Sequence, residues 1–138
     1  MKWLIAAAGA LTIAAGGTAL AAKLTTADVM KNYEKTDKVE QCIGLQRIDQ
    51  TYILDKKNIL FKLYDGKRYL NTLPIECAGL NPYRAISYKT SLNKLCNVDI
   101  ITVFEPAQPK PNSYGSCGLG KFTLLKKKED AAGPDGTK

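Results

Sequence analysis

The segment ILFKLYDGKRYLNTL, residues 59–73, decides the fold class. Two runs rich in apolar, aromatic and β-favouring residues flank the dipeptide Asp65-Gly66. Asp-Gly between such runs is among the strongest short hairpin signals, because a two-residue turn requires positive φ at both central positions. A turn of that length places Phe61 opposite Leu70 and Lys62 opposite Tyr69. Ile59, Phe61 and Leu63 then share a core face with Leu70.

The strand chemistry continues on both sides. Upstream, CIGLQRI (42–48) and DQTYIL (49–54) read as strands, and Asp55-Lys56-Lys57-Asn58 as a polar turn. Downstream, Pro74 stops the second hairpin strand. IECAGLNPYR (75–84) reads as a loop or short helical turn, AISYKT (85–90) as a strand and SLNKLC (91–96) as a turn leading to Cys96. DIITVFE (99–105) has the strongest β-branched content. PAQPKPNSYGS (106–116) holds three of the six prolines and reads as an irregular exposed loop. CGLGKFTLL (117–125) closes the sheet.

Before this region, Lys23 to Lys38 reads as a short helix. Thr25 or Thr26 caps it, Asp28 sits in its first turn, and Val29, Met30 and Tyr33 form a narrow apolar stripe. The expected organisation is a signal peptide over 1–21, a helical lead-in over 22–40, a disulfide-stapled β-rich domain over 41–125 and a disordered lysine-containing tail over 126–138. The expected architecture is mainly β: a small twisted sheet or partly closed barrel with one N-terminal helix and two disulfides.

Residues 1–22 have the layout of a secretory signal. Lys2 supplies the positive end, Leu4 to Ala15 is an uncharged apolar run, and Ala19-Leu20-Ala21 is an A-x-A site with cleavage after Ala21. The competing reading is a retained anchor, since residues 4–22 approach the ~20 apolar residues a bilayer span needs. Cleavage leaves about 117 residues, enough for one domain with a modest core, and no span. The formal charge of +7 falls by one when Lys2 leaves. A basic exported protein tends toward anionic surfaces, namely envelope polymers, lipid headgroups or acidic proteins. Nucleic acid is the wrong partner for a periplasmic or secreted chain, and its recognition motifs are missing.

The chain has four cysteines and no histidine. Cys42, Cys77, Cys96 and Cys117 contain no C-x-x-C pair, which argues against zinc and against thioredoxin-like chemistry. An even set in an exported chain points to structural disulfides. Three pairings are open. The preferred one is Cys77–Cys96, closing a local loop, with Cys42–Cys117 tying the first strand to the last.

GSCGLGKF (115–122) matches the phosphate-binding pattern G-x-x-x-x-G-K-[ST] except at its last position, where Phe122 has no hydroxyl for Mg²⁺. Such a loop must also open a helix, and FTLL does not. The glycines read instead as sites of bending or close backbone approach beside a disulfide. Without histidine, Ser-His-Asp and Cys-His arrangements cannot be built. Ser91-Leu92-Asn93-Lys94 matches S-x-x-K, but its partner motifs are missing. Glu76 and Glu105 are carboxylates that nothing in the sequence places together. No catalytic, cofactor or metal residue is assigned. Tyr64, Lys67, Tyr69, Arg84 and Tyr88 interleave aromatic and basic side chains and form the candidate binding face, suited to sugars or polyanions. Such tyrosines are also common as half-buried core residues.

The ordered set CIGLQRI, ILD-x-x-x-IL, GKRYLNTLP-x-x-C-x-GL, SYKTS-x-x-x-LC-x-x-DIITV and SCGLGKF resembles an uncharacterised family of small exported bacterial proteins, a domain of unknown function with four cysteines. The match spans Gln41 to about Leu125. It rests on Cys42, Arg47, Asn71, Cys77, Cys96, Asp99, Cys117, Gly118 and Gly120 together. The resemblance implies export and a mainly β architecture, and carries no activity. The expected function is therefore a non-enzymatic exported structural or binding module, its partner an unidentified protein or an anionic envelope component. The alternatives are an inhibitor or accessory protein of an envelope hydrolase and, more weakly, an enzyme using lysine or carboxylates.

Overall fold

The computed structural model describes residues 23–90, 92–107 and 113–129. Residues 1–22 (which include the expected signal peptide), Ser91, the centre of the proline-rich segment and residues 130–138 lie outside them. Ten strands and one α-helix follow in the order α1 (Thr26–Asn32), β1 (Tyr33–Glu40), β2 (Cys42–Gly44), β3 (Ile48–Ile53), β4 (Asn58–Leu63), β5 (Arg68–Thr72), β6 (Ala85–Tyr88), β7 (Lys94–Cys96), β8 (Ile100–Phe104), β9 (Ser113–Gly118) and β10 (Phe122–Lys127). A 3₁₀ turn over Leu45–Arg47 separates β2 from β3. The strands form a five-stranded antiparallel sheet in the order β1-β10-β5-β4-β3, a three-stranded sheet β6-β8-β9 and a two-stranded pair β2-β7. The protein is mainly β, as the sequence indicates, and its sheets are not closed into a barrel.

The hairpin at 59–73 forms, but one residue out of the expected register. Phe61 pairs with Tyr69 and Lys62 with Arg68. The loop has three residues, not two. Gly66 N–H donates to Leu63 O at 3.0 Å and Leu63 N–H to Lys67 O at 2.8 Å, with Gly66 at φ 90°. This is a type I turn closed by a left-handed glycine, so only Gly66 takes positive φ. A one-residue slip exchanges the faces of one strand. Tyr69 and Asn71 now join Ile59, Phe61 and Leu63, while Leu70 pairs with Leu60 on the opposite face.

Both faces of the large sheet are therefore covered. On one face Ile59, Phe61, Leu63, Tyr69 and Phe122 pack against Ile43, Leu95, Ile101 and Val103 from the two smaller sheets. The rings of Phe61 and Phe122 meet edge-to-face at 5.5 Å, a favoured aromatic geometry. On the other face Leu60, Leu70 and Leu125 pack with Leu54 and with Val29 of α1. Asn71, the buried polar side chain of the core, sits between Ile59 and Phe122 in the register.

The N-terminal helix is shorter than expected. Thr25 caps it in a reciprocal box: Asp28 N–H donates to the Thr25 hydroxyl at 3.2 Å and Thr25 N–H to Asp28 at 3.0 Å. It stops at Asn32, because Tyr33 turns extended and residues 33–40 become an edge strand paired with β10. The lysine run correspondingly begins inside β10, not in a tail.

The disulfides are Cys42–Cys96 and Cys77–Cys117, which corrects the expected pairing. Strand register decides it. Cys42 and Cys96 are direct partners across β2 and β7, with Cα atoms 4.0 Å apart. Cys77 is buried beneath β9 and meets Cys117. The first and last described strands are joined by the β1–β10 ladder, so no cystine is needed there.

Candidate functional site

The register of β10 creates the main concavity. Its pairing with β5 ends at Leu125–Arg68, because the hairpin turn begins at Lys67, whose carbonyl already accepts from Leu63. Lys126 and Lys127 run on with β1 alone as their partner. Further along the same ladder β1 bulges: Thr36, Asp37 and Lys38 together face the single residue Leu124, and the Thr36 hydroxyl donates to the Leu124 carbonyl at 2.8 Å. Such bulges re-aim side chains at sheet edges. The result is an open notch of about 660 Å³ between the hairpin tip and the β1–β10 ladder.

Four cations line it: Lys67, Arg68, Lys126 and Lys127. The guanidinium of Arg68 lies over the Tyr33 ring, 4.9 Å from its centroid. Asp65 is the carboxylate in the lining, and it is already engaged. Lys67 N–H donates to it at 3.0 Å and Arg47 at 3.1 Å. The Lys67 amide, with help from Arg47 and against slight burial, holds the Asp65 carboxyl below its ordinary pKa. Its charge is met by Arg47, outside the notch, and by the nearby charge of Lys67. Glu34 lies opposite Lys126 in the register. The ion pairs among the described residues are Arg47–Asp65 and Lys62–Asp49, so none of the four notch cations has a described carboxylate within 4.0 Å.

The five residues of the expected binding face are not brought together. Tyr64 protrudes at the hairpin tip, 73% exposed, and Lys67 lies beside it in the notch. Tyr69 is buried in the core, and burial raises its hydroxyl pKa. Arg84 donates to Gly79 O at 2.5 Å and stacks on Tyr114 at 3.5 Å. Tyr88 is half-buried against the core, and burial raises its pKa too. Arg84 and Tyr88 line a separate hollow of about 210 Å³ with Thr51 and Ile53. The notch residues missing from the sequence reading are Tyr33, Lys126 and Lys127. The signal for the lysines was the run directly after FTLL, where a strand continues as easily as it ends.

GSCGLGKF is a strand-to-strand connection. β9 ends at Gly118, Leu119 enters the core, and β10 starts at Phe122. No helix follows to receive a phosphate, and Lys121 is exposed. The work of the stretch lies at Gly120. A β-carbon there would sit 2.0 Å from the Thr72 carbonyl oxygen. Glu105 accepts the Tyr114 hydroxyl at 3.0 Å, whereas Glu76 lies at the loop beside Cys117.

No helix among the described residues is long and apolar enough to cross a membrane. No protein-family model, curated protein or solved structure matches the chain.

Proposed function

We propose that the protein is an exported, non-enzymatic binding module that engages an anionic envelope component through the notch at the β4–β5 tip. The observation that carries this reading is that Lys67, Arg68, Lys126 and Lys127 all line one concavity whose carboxylate, Asp65, already accepts a hydrogen bond from Arg47. Cations from two separate segments, with no ion-pair partner among the described residues and focused in a notch, raise the local concentration of anions more than the same charges dispersed. Two disulfides in a chain with an A-x-A leader support the exported setting.

The test separates a site from general basicity. Heparin-affinity elution is compared for the wild type, Lys67→Glu/Lys126→Glu, and the control Lys56→Glu/Lys57→Glu, which makes the same charge change at an exposed turn. The notch variant is expected to elute at much lower salt than the control. Equal losses overturn the reading.

A further inference from the structure

Another hollow, of about 170 Å³, lies beneath α1, against the large sheet. Its apolar wall is Leu24, Val29, Tyr52 and Leu60. At its rim, Asp28 is held in the capping box by Thr25 and Lys62 faces Asp49 at 3.8 Å. Tyr33 and Arg68 line this hollow and also line the basic notch. The stacked pair is thus the shared wall between a cationic concavity and one with an apolar wall and a polar rim. A ring and an aliphatic stem suit a hydrocarbon chain, and a guanidinium suits an oxyanion.

We infer that the two concavities form one site for a phosphorylated amphiphile, with its phosphate among Lys67, Arg68, Lys126 and Lys127 and the start of its alkyl chain beneath α1 against Val29 and Leu60. This rests on the notch reading of the proposed function and specifies its ligand. Phosphate is favoured over a single carboxylate because its several acceptor oxygens and greater charge match a cluster of four cations. The hollow beneath α1 is comparable in volume with the ~150 Å³ cavity that accepts benzene, so its inner, apolar part takes at most about six carbons. The rest of the chain stays outside. α1 covers its face lightly: it is seven residues long and Val29 is its buried residue. A chain enters by displacing few contacts.

The experiment is calorimetric titration of the folded, disulfide-bonded protein with methyl, butyl, hexyl, octyl and decyl phosphate and with octyl glucoside, each below its micelle concentration. Affinity is expected to rise at least tenfold from methyl to hexyl phosphate and then level off, with octyl glucoside at least tenfold weaker than octyl phosphate. Lys67→Ala/Lys126→Ala should weaken the methyl and octyl esters by the same factor. Equal affinity for every alkyl phosphate overturns the amphiphile and leaves the notch standing. A rise that continues unbroken to decyl phosphate also overturns it, since the hollow then sets no limit. Octyl glucoside binding as tightly as octyl phosphate, or no binding by any phosphate, overturns the notch reading as well. The series uses wild-type protein, so it stands even where a bulky replacement of Val29 prevents folding.

Discussion

Asn71 and Gly120 hold each other through two reciprocal hydrogen bonds. The Asn71 Nδ2 donates to Gly120 O at 2.7 Å, and Gly120 N–H donates to Asn71 Oδ1 at 2.8 Å. A fully buried amide in the large sheet thereby fixes the point where the chain crosses from the three-stranded sheet to β10. β10 carries Lys126 and Lys127, so this clamp places half of the notch cations. Asn71→Ala leaves two backbone groups without partners and should cost about 2–4 kcal/mol. Asn71→Asp keeps the acceptor but loses the donor and should also destabilise. Urea titration reads both.

The glycines of the same stretch should separate sharply. Gly120→Ala drives a β-carbon into the Thr72 carbonyl and should destabilise by more than about 2 kcal/mol. Gly118 has ordinary φ and nothing within 4 Å of an added β-carbon, so Gly118→Ala should be neutral or stabilise by up to about 1 kcal/mol. At the hairpin tip, Gly66→Ala meets open space but a φ of 90°. It should cost about 1 kcal/mol, and Gly66→Asn less, because Asn tolerates the left-handed region. Denaturation midpoints that fail to follow this order contradict the structure.

Part of this was legible in the sequence, for identifiable reasons. The hairpin at Asp65-Gly66 and the strand at Ile100–Phe104 are announced by local turn chemistry and β-branching. The Thr25 cap is equally local. The register was not legible, because Asp-Gly serves a two-residue and a three-residue loop alike, and the difference decides whether Tyr69 or Leu70 faces Phe61. The end of the helix was missed because YEKTDKVE is polar on both faces of an edge strand, and its partner β10 lies some ninety residues away. The same non-local pairing hid the notch: Lys126 and Lys127 look like a tail until β1 is placed beside them. Cystine pairing failed likewise, since the strand partners of Cys42 and Cys117 are set by topology and not by loop length.

Peptide mapping of native protein should recover Cys42–Cys96 and Cys77–Cys117 and no other link. Replacing Cys77 and Cys117 together by Ala should cost about 2–5 kcal/mol. It should cost more than replacing Cys42 and Cys96, because Cys77 is buried in the main core and Cys42 is half-exposed. A larger loss from the Cys42–Cys96 pair would contradict the assignment of the core.

Acid stability should depend on Asp55. Burial opposes its ionisation, but hydrogen bonds from the Thr26 hydroxyl, the Asn58 side chain and the Lys57 and Asn58 amides outweigh that and hold its pKa below the ordinary aspartate value. A depressed folded pKa stabilises above the unfolded value of about 3.9, and the contribution is lost as pH falls through the folded one. Asp55 also ties α1 to the β3–β4 turn through Thr26. Asp55→Asn should therefore be less stable than wild type at pH 7, and the gap should narrow below about pH 4. Melting temperatures that stay a constant distance apart from pH 7 to pH 2 would show that the carboxylate charge is not what stabilises the turn.

The notch is tested most directly by amide chemical-shift mapping of isotope-labelled protein titrated with methyl phosphate at low salt. The account predicts that Gly66, Lys67, Arg68, Lys126 and Lys127 shift most and saturate together. Comparable shifts at Lys56, Lys57, Lys89 and Lys94, or none around the hairpin tip, would contradict it.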